Sequence, residues 1–545
     1  MKNLPVKLLL LILTCLSFGT TKGANNSSFR RVDQGPLWTR LQWEAFYSTD
    51  QGSRIMPYEW MVAMVQPNGL PFLRDSMARY GYLPNATNQL NPKGLPVGFL
   101  VAKSGTNNYF SITCAACHTR QININGVNYR IDGGPGVTDV YSFFKDINSA
   151  AAYTISSPQV FAEFQGAVAA QGVPAPTQQE FIEWYVPLLT VMSSSLMPTS
   201  WGIGRMDAVS MIQNRASGLD LGQPPSYLIP ENINPADVPV RYPFLWNASK
   251  QDLTQWAGTS VNVNADYSLA RNSSETIGTF GILHPQVNAA MTNGYDFLSQ
   301  NSLNYEGLIA LEDLIKQMGP PKWPGTINTK KAAAGAQLFA SNCASCHGIQ
   351  KSGFPEYAND PNIWGTPVIN VGTDTAYHGI LNQESVTSGL LGGLTNPVTT
   401  NTIPYSNYPT MQLVNMLNDS ALVQQFPDIV LNLKASQTQI TPQANGFESR
   451  VLQGIWAAAP YLHNGSVPTL AELLKPPASR VKSFQVGPNY DMVNVGLAAR
   501  QPGGRLSLRV TTSDLTSGNS NAGHEFGTWL SPAQKSDLLE YLKTL

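Results

Sequence analysis

Two short clusters carry the residues most able to do chemistry: Cys114, Cys117 and His118 in "TCAACHTR", and Cys343, Cys346 and His347 in "NCASCHG". Two thiols separated by two residues, with an imidazole directly after, suit a redox disulfide, half of a zinc site or a covalent haem. A redox disulfide has no use for the histidine. A structural zinc needs four ligands at close spacing, and neither cluster has a second Cys or His pair within about twenty residues. Haem uses all three residues, the thiols adding to its vinyl groups as thioethers and the histidine lying under the iron as proximal ligand. The sequence therefore predicts two covalently attached haem c groups.

The elements around the two clusters differ. "TKKAAAGAQLFASNCASCHG" reads as an Ala-rich helix, with Gly335, Leu338 and Phe339 at packing spacing, that runs straight into the second cluster. In "SPAQKSDLLEYLKTL", Ser531 is an N-cap, Pro532 the first helical residue and Gln534 the partner in a capping box. Leu538, Leu539, Leu542 and Leu545 follow on one stripe. A helix leading into the motif and a closing helix packed across it predict a cytochrome c domain over 325–545, bounded by "MGPPKWPGTINT". The first cluster sits instead in extended chain punctuated by Asn and Gly, with a helix only from about Val137. Its domain, 24–324, is larger, and extra chain around one haem of two points to a pocket or an interface. The fold expected is mainly α: two cytochrome c-like domains with long ordered loops.

Residues 1–23 read as a secretory signal peptide, with Lys2 and Lys7 ahead of an apolar "LLLLILTCLSF" too short to anchor a protein in a bilayer. Cys15 belongs to it, which leaves four cysteines in the mature chain, all in the two clusters, with none for disulfide stapling. A periplasmic or secreted location follows. With a net charge of −1 and no basic cluster, nucleic acid and anionic membrane surfaces are poor partners. No later apolar run is long enough for an integral membrane segment.

An iron with two protein ligands transfers electrons, and one with a single ligand binds dioxygen or peroxide. Of the remaining histidines, His524 in "NAGHEFGTWL" is the favoured distal ligand of the second haem, with His463 in "PYLHNGSVPTLAELL" as its rival. His378 reads as a solvated or hydrogen-bonding residue. If His284 reached the first iron, that haem would be closed and the protein an electron carrier.

The paired haem motifs, "PYLHNGSVPTLAELL" and the closing helix resemble the bacterial di-haem cytochrome c peroxidase superfamily. "RIDGGPG", "GRMDA", "PFLW", "QWAGT", "ARNSSETIGTFG", "MGPPKWP" and "GHEFGTWLS" look like its rubber oxygenase branch. The resemblance implies a reactive N-terminal haem, and a six-coordinate C-terminal haem that passes electrons and has His524 as distal ligand. It implies Trp256 and Phe280 as aromatic residues crowding the open face of the first haem, and it sets Glu275 as the acid–base group a peroxidase needs. Arg130 or Arg271 would neutralise haem propionates. Calcium is common between the domains of the peroxidase relatives, though no local sequence marks a site. The function implied is a haem-dependent oxidoreductase that takes peroxide or dioxygen and draws electrons from a donor protein or a small reductant. The alternatives are a di-haem electron-transfer cytochrome and a dioxygenase cleaving polyisoprene.

Overall fold

The computed structural model describes residues 28–382, 385–435, 444–504 and 507–545 of the 545. The leader read at residues 1–23 lies outside the described residues.

Two hairpins dominate the region before the first long helix. β1 (Phe29–Arg31) lies apart from them in sequence; β2 (Phe99–Ser104) and β3 (Asn107–Ile112) pair antiparallel, as do β4 (Thr119–Ile124) and β5 (Val127–Asp132). β1 completes the second sheet by lying parallel to β5, Phe29 opposite Asn128. The turn between β4 and β5 is Asn125-Gly126, with φ of 51° and 84°, the left-handed pair that matches the twist of a two-residue hairpin. Ile122 and Ile124 point from β4 into the core, so the register is set by burial as well as by the turn.

The principal helices follow in order: α1 (Val140–Thr154), α2 (Gln178–Ser195), α3 (Ala208–Leu219), α4 (Ala265–Gly278), α5 (Tyr305–Gln317), α6 (Thr329–Asn342), α7 (Thr410–Gln425) and α8 (Pro532–Leu542). Short polar side chains start most of them. Asp139, Asp207, Asn264, Asn304 and Asn328 each accept a backbone N–H of the first turn, satisfying a donor that the helix itself leaves bare. Ser531 forms the expected capping box with Gln534.

α1 buries Phe143, Phe144 and Ile147 in an aromatic core with Phe72, Phe99 and Phe110. A second core joins Ile122, Ile131, Phe244 and Trp246 to Phe339, Trp456, Leu538 and Leu542, so it takes residues from both sides of residue 324. α6 and α8 cross at Gly335, where a Cβ would lie 2.0 Å from the backbone oxygen of Asp537; only glycine lets the helices approach so closely.

The expectation of a mainly α fold needs correction. Helix accounts for 38% of the chain and strand for 15%, which makes the fold mixed. Many of the strands are pairs of only two or three residues, held by partners distant in sequence. Among the described residues no helix is long and apolar enough to cross a membrane.

Candidate functional site

The first motif is a single turn of 3-10 helix, Cys114–Ala116, wedged between β3 and β4. Thr113 N–H donates to Gly98 O at 2.8 Å, tying the turn to the residue before β2, and His118 N–H closes it on Cys114 O at 3.0 Å. The His118 ring Nδ1 lies 2.9 Å from Pro243 O. A carbonyl only accepts, so Nδ1 carries the proton and Nε2 keeps a lone pair free for a metal. Burial, with a smaller push from the charge of Arg450, lowers the His118 pKa to about 4 against the opposing pull of the Pro243 hydrogen bond. Burial pushes the Cys114 and Cys117 thiols up to about 12.

The second motif continues α6. Cys343 ends that helix and a further turn, Ala344–His347, presents the histidine. His347 repeats the arrangement of His118: its Nδ1 is 2.8 Å from Arg450 O, which again leaves Nε2 unprotonated. Facing it is His524, whose ring centre is 6.1 Å away. His524 has φ of 48°, uncommon for a non-glycine residue, and two contacts hold it there. Its N–H donates to Val371 O at 2.9 Å, and its carbonyl accepts from Arg480 Nη2 at 3.1 Å. Its ring Nδ1 is buried and has no hydrogen-bond partner among the described residues. Burial, then the neighbouring His347, lower its pKa to about 3, which keeps the ring neutral and able to ligate.

These residues fit haem c in two ways. An imidazole nitrogen lies about 1.1 Å from its ring centre and about 2.0 Å from a bound metal, so two rings across one metal are centred about 6.2 Å apart; His347 and His524 stand at 6.1 Å. Beside the first motif, Arg120 is 1% exposed, and its Nε and Nη2 lack a partner among the described residues. A buried guanidinium so placed calls for an anion, and haem carries two carboxylates.

Arg120 was not singled out from sequence, although it lies only two residues past His118; Arg130 and Arg271 were, and the structure engages both elsewhere. Arg130 stacks over Phe29 at 4.0 Å and donates to Gln121, while Arg271 pairs with Glu312 at 2.8 Å. The other histidines are also engaged. His284 Nε2 is 3.0 Å from Asp220, with its ring stacked on Tyr227. His378 Nε2 meets Gly446 O at 2.9 Å. His463 stacks on Phe447 with centres 3.9 Å apart. Among the described residues no group of three or more His, Cys, Asp and Glu side chains gathers to hold a metal ion such as calcium.

The three residues assigned to the open face of the first haem do not form one cluster. Phe280, at φ 69°, packs its ring on Phe144 and lines a cavity of about 860 Å³ together with Trp184, Tyr227 and His284. Glu275 lines a second cavity of about 890 Å³ with Gln255, Arg271 and Tyr377. Trp256 is buried with Val209, Tyr377 and Phe447, its indole N–H donating to Arg241 O. The C-terminal end of α4 nevertheless reaches the first motif. Gln51 bridges Cys114 Sγ at 3.3 Å to Thr279 Oγ1 at 3.0 Å, and the charge of Glu275 is felt at Cys114. The Glu275 side chain is exposed to its cavity. Desolvation by the protein around it raises its pKa, against the opposing pull of Arg271 and of a 2.6 Å hydrogen bond from Gln255.

Two family models match the chain: "RoxA-like, cytochrome c-like" over residues 446–485, and "Cytochrome c" over 332–387, the latter spanning Cys343, Cys346 and His347. Residues 332–387 are thus similar to cytochrome c, and residues 446–485, where Arg450 and His463 lie, to the RoxA-like cytochrome c domain. Cytochrome c domains bind haem c covalently and are typically extracytoplasmic, and the matches point to a haem c oxidoreductase. An uncharacterized protein of Sinorhizobium fredii, y4iJ, is 28% identical over 588 residues, covering 93% of this chain and 92% of its own length. A second from the same organism, y4iM, is 27% identical over 322 residues, 55% of this chain and 63% of its own.

Proposed function

We propose that the protein is an exported di-haem c oxidoreductase of the cytochrome c peroxidase and rubber oxygenase kind, in which the haem at His118 takes peroxide or dioxygen and the haem at His347 relays electrons. The observation that carries this reading is the asymmetry between the two histidines. His347 is faced by His524 at a separation suited to one metal between them, whereas the ring beside His118 is that of Tyr242, centred 6.0 Å away. His284, the residue whose approach would close the first haem, stacks on Tyr227 with its Nε2 3.0 Å from Asp220.

Haem iron supplies the redox chemistry, electron transfer where two protein ligands hold it and binding of dioxygen or peroxide where one does. The chain's residues set the rest. Pro243 O and Arg450 O hold the protons of the proximal histidines on Nδ1 and thereby raise the basicity of the ligating nitrogen. Glu275, its pKa raised by desolvation from the surrounding protein, keeps a proton to higher pH than a free carboxyl and serves as general acid near Cys114. Phe280 contributes an apolar wall that excludes water on the side of the aromatic cavity. The electron source in this reading is a donor protein or a small reductant.

Carbon monoxide and cyanide binding to the purified two-haem protein tests the proposal. One haem of the two is expected to bind; no binding in any redox state would make the protein an electron carrier. Turnover of hydrogen peroxide with a reduced donor, set against oxygen uptake with polyisoprene latex, then separates peroxidase from oxygenase.

A further inference from the structure

The two proximal histidines accept their orientation from two chain segments far apart in sequence, around residues 243 and 450, and those segments are locked to one another. Pro243 O receives His118 Nδ1–H, and the next residue, Phe244, is 2% exposed. The guanidinium carbon of Arg450 lies 4.3 Å from the centre of the Phe244 ring. Arg450 O in turn receives His347 Nδ1–H. The lock is reinforced on both flanks. Phe244 stacks on Trp246 with centres 4.8 Å apart and planes at 14°, and the Trp246 indole N–H donates to Gln453 O at 2.7 Å. Asn247 Nδ2 donates to the Gln453 side chain at 2.6 Å. Arg450 is itself buried at 7% exposure; with its amide turned, Gln251 accepts from the guanidinium at 2.8 and 3.2 Å, and Glu448 lies 3.7 Å from Nε.

We infer that Arg450 is a positioning residue for both haem centres at once: its carbonyl orients His347, while its guanidinium, laid on Phe244, steadies the Pro243 carbonyl that orients His118. The inference rests on the proposed reading that both motifs carry haem. A desolvated cation over an aromatic face is attracted by the ring's quadrupole, which holds one backbone segment against the other. The hydrogen bond from the distal nitrogen of a ligating histidine sets ring orientation and ligand basicity. A change confined to Phe244, which makes no hydrogen bond to His347, therefore reaches the second haem through Arg450.

The test uses the intact two-haem protein, fully oxidised so that the charge of one haem does not vary with the other, and reads the electron paramagnetic resonance g-values of each centre. Phe244→Leu keeps an apolar side chain but removes the ring under the guanidinium; it is expected to shift the g-values of the His347 centre as well as the His118 centre. Ile455→Val, a trimming of the same core away from the Phe244 and Arg450 contact, is expected to shift neither. A Phe244→Leu protein whose His347 centre is unchanged overturns the inference, as does an Ile455→Val protein that shifts both. If Phe244→Leu fails to fold, Arg450→Lys replaces the flat guanidinium while keeping its charge and carbonyl. A shift at His118 is then expected, and a response limited to His347 overturns the inference. A haem count by pyridine haemochrome separates the two failures: fewer than two haems per parent chain defeats the functional reading and this inference with it, whereas two haems that respond independently defeat this inference alone.

Discussion

Replacing His524 with alanine removes one of two imidazoles whose centres stand 6.1 Å apart, against about 6.2 Å for a pair sharing one metal. The predicted result is stoichiometric. The haem at His347 loses its sixth ligand and becomes high-spin while the other centre is unaffected, so about half of the total haem changes spectrum. Carbon monoxide binding to the reduced protein rises from one to two per chain, and added imidazole restores the low-spin spectrum by refilling the space the side chain left. The rival is His463, whose ring face is covered by Phe447 at 3.9 Å and which is 5% exposed. His463→Ala should cost stability, from the lost stack and the buried volume, and leave the spin state alone. Optical and electron paramagnetic resonance spectra of the two variants decide the matter. A His524→Ala protein that stays fully low-spin, with a His463→Ala protein that turns high-spin, refutes the assignment and the distance argument behind it.

Gly335→Ala should lower the thermal midpoint, since the new Cβ would meet Asp537 O at 2.0 Å and Tyr541 Cβ at 2.8 Å; an overpacking cost of about 1–3 kcal/mol outweighs a helix-propensity gain of about 1 kcal/mol. Glu275→Gln should reduce peroxide turnover by about 10²-fold or more, with haem content unchanged, if the carboxyl donates a proton; unaltered turnover removes it from the mechanism. Asp207, the N-cap of α3, has its pKa raised from 3.8 to about 7, first by burial and against hydrogen bonds from Val238 and Ser210. Because the folded state holds this proton more tightly than the unfolded one, stability attributable to Asp207 is greatest below pH 3.8 and falls as pH rises to about 7. The stability of Asp207→Asn relative to the parent should therefore grow over that window, by no more than about 4 kcal/mol, in denaturant titrations at stepped pH; a difference that is flat with pH contradicts it.

The C-terminal haem region was legible because its signals are local. The Ala-rich approach to Cys343, Gly335 at a helix crossing, and the Ser531, Pro532 and Gln534 cap each act within a turn or two of chain, and the structure forms α6 and α8 accordingly. The N-terminal region was read as extended chain, yet the Asn125-Gly126 turn between alternating Ile and Val residues already spelled a hairpin. The sheet's third strand had no such signal, since Phe29–Arg31 pairs with residues about a hundred positions away. The same distance hides the site's supports. His118 finds Pro243 across 125 residues and His347 finds Arg450 across 103, through carbonyls that any residue could supply. Arg120 was within reach of the reading, but nothing local says that its guanidinium is buried with Nε and Nη2 unpartnered among the described residues.

Backbone conformation links the distal candidate on one haem to the aromatic candidate near the other. His524 and Phe280 both lie in the left-handed region, φ 48° and 69°, where a side chain other than Gly costs about 1–3 kcal/mol. Such residues persist only where their surroundings over-determine them. The carbonyl of Phe280 accepts from Arg54 N–H at 2.8 Å, and Gly281 N–H turns back to Thr276 O at 2.8 Å. His524 is pinned by Val371 and Arg480, while the neighbouring Gly523 crosses Gly372 so tightly that a Cβ would lie 2.4 Å from its carbonyl carbon. Relaxing either residue into ordinary backbone would swing its ring away, His524 from His347 and Phe280 from its cavity. Strain kept in two separate loops, each ending in a ring directed at a motif or its cavity, is what a chain retains when the ring's position matters more to it than the stability forgone.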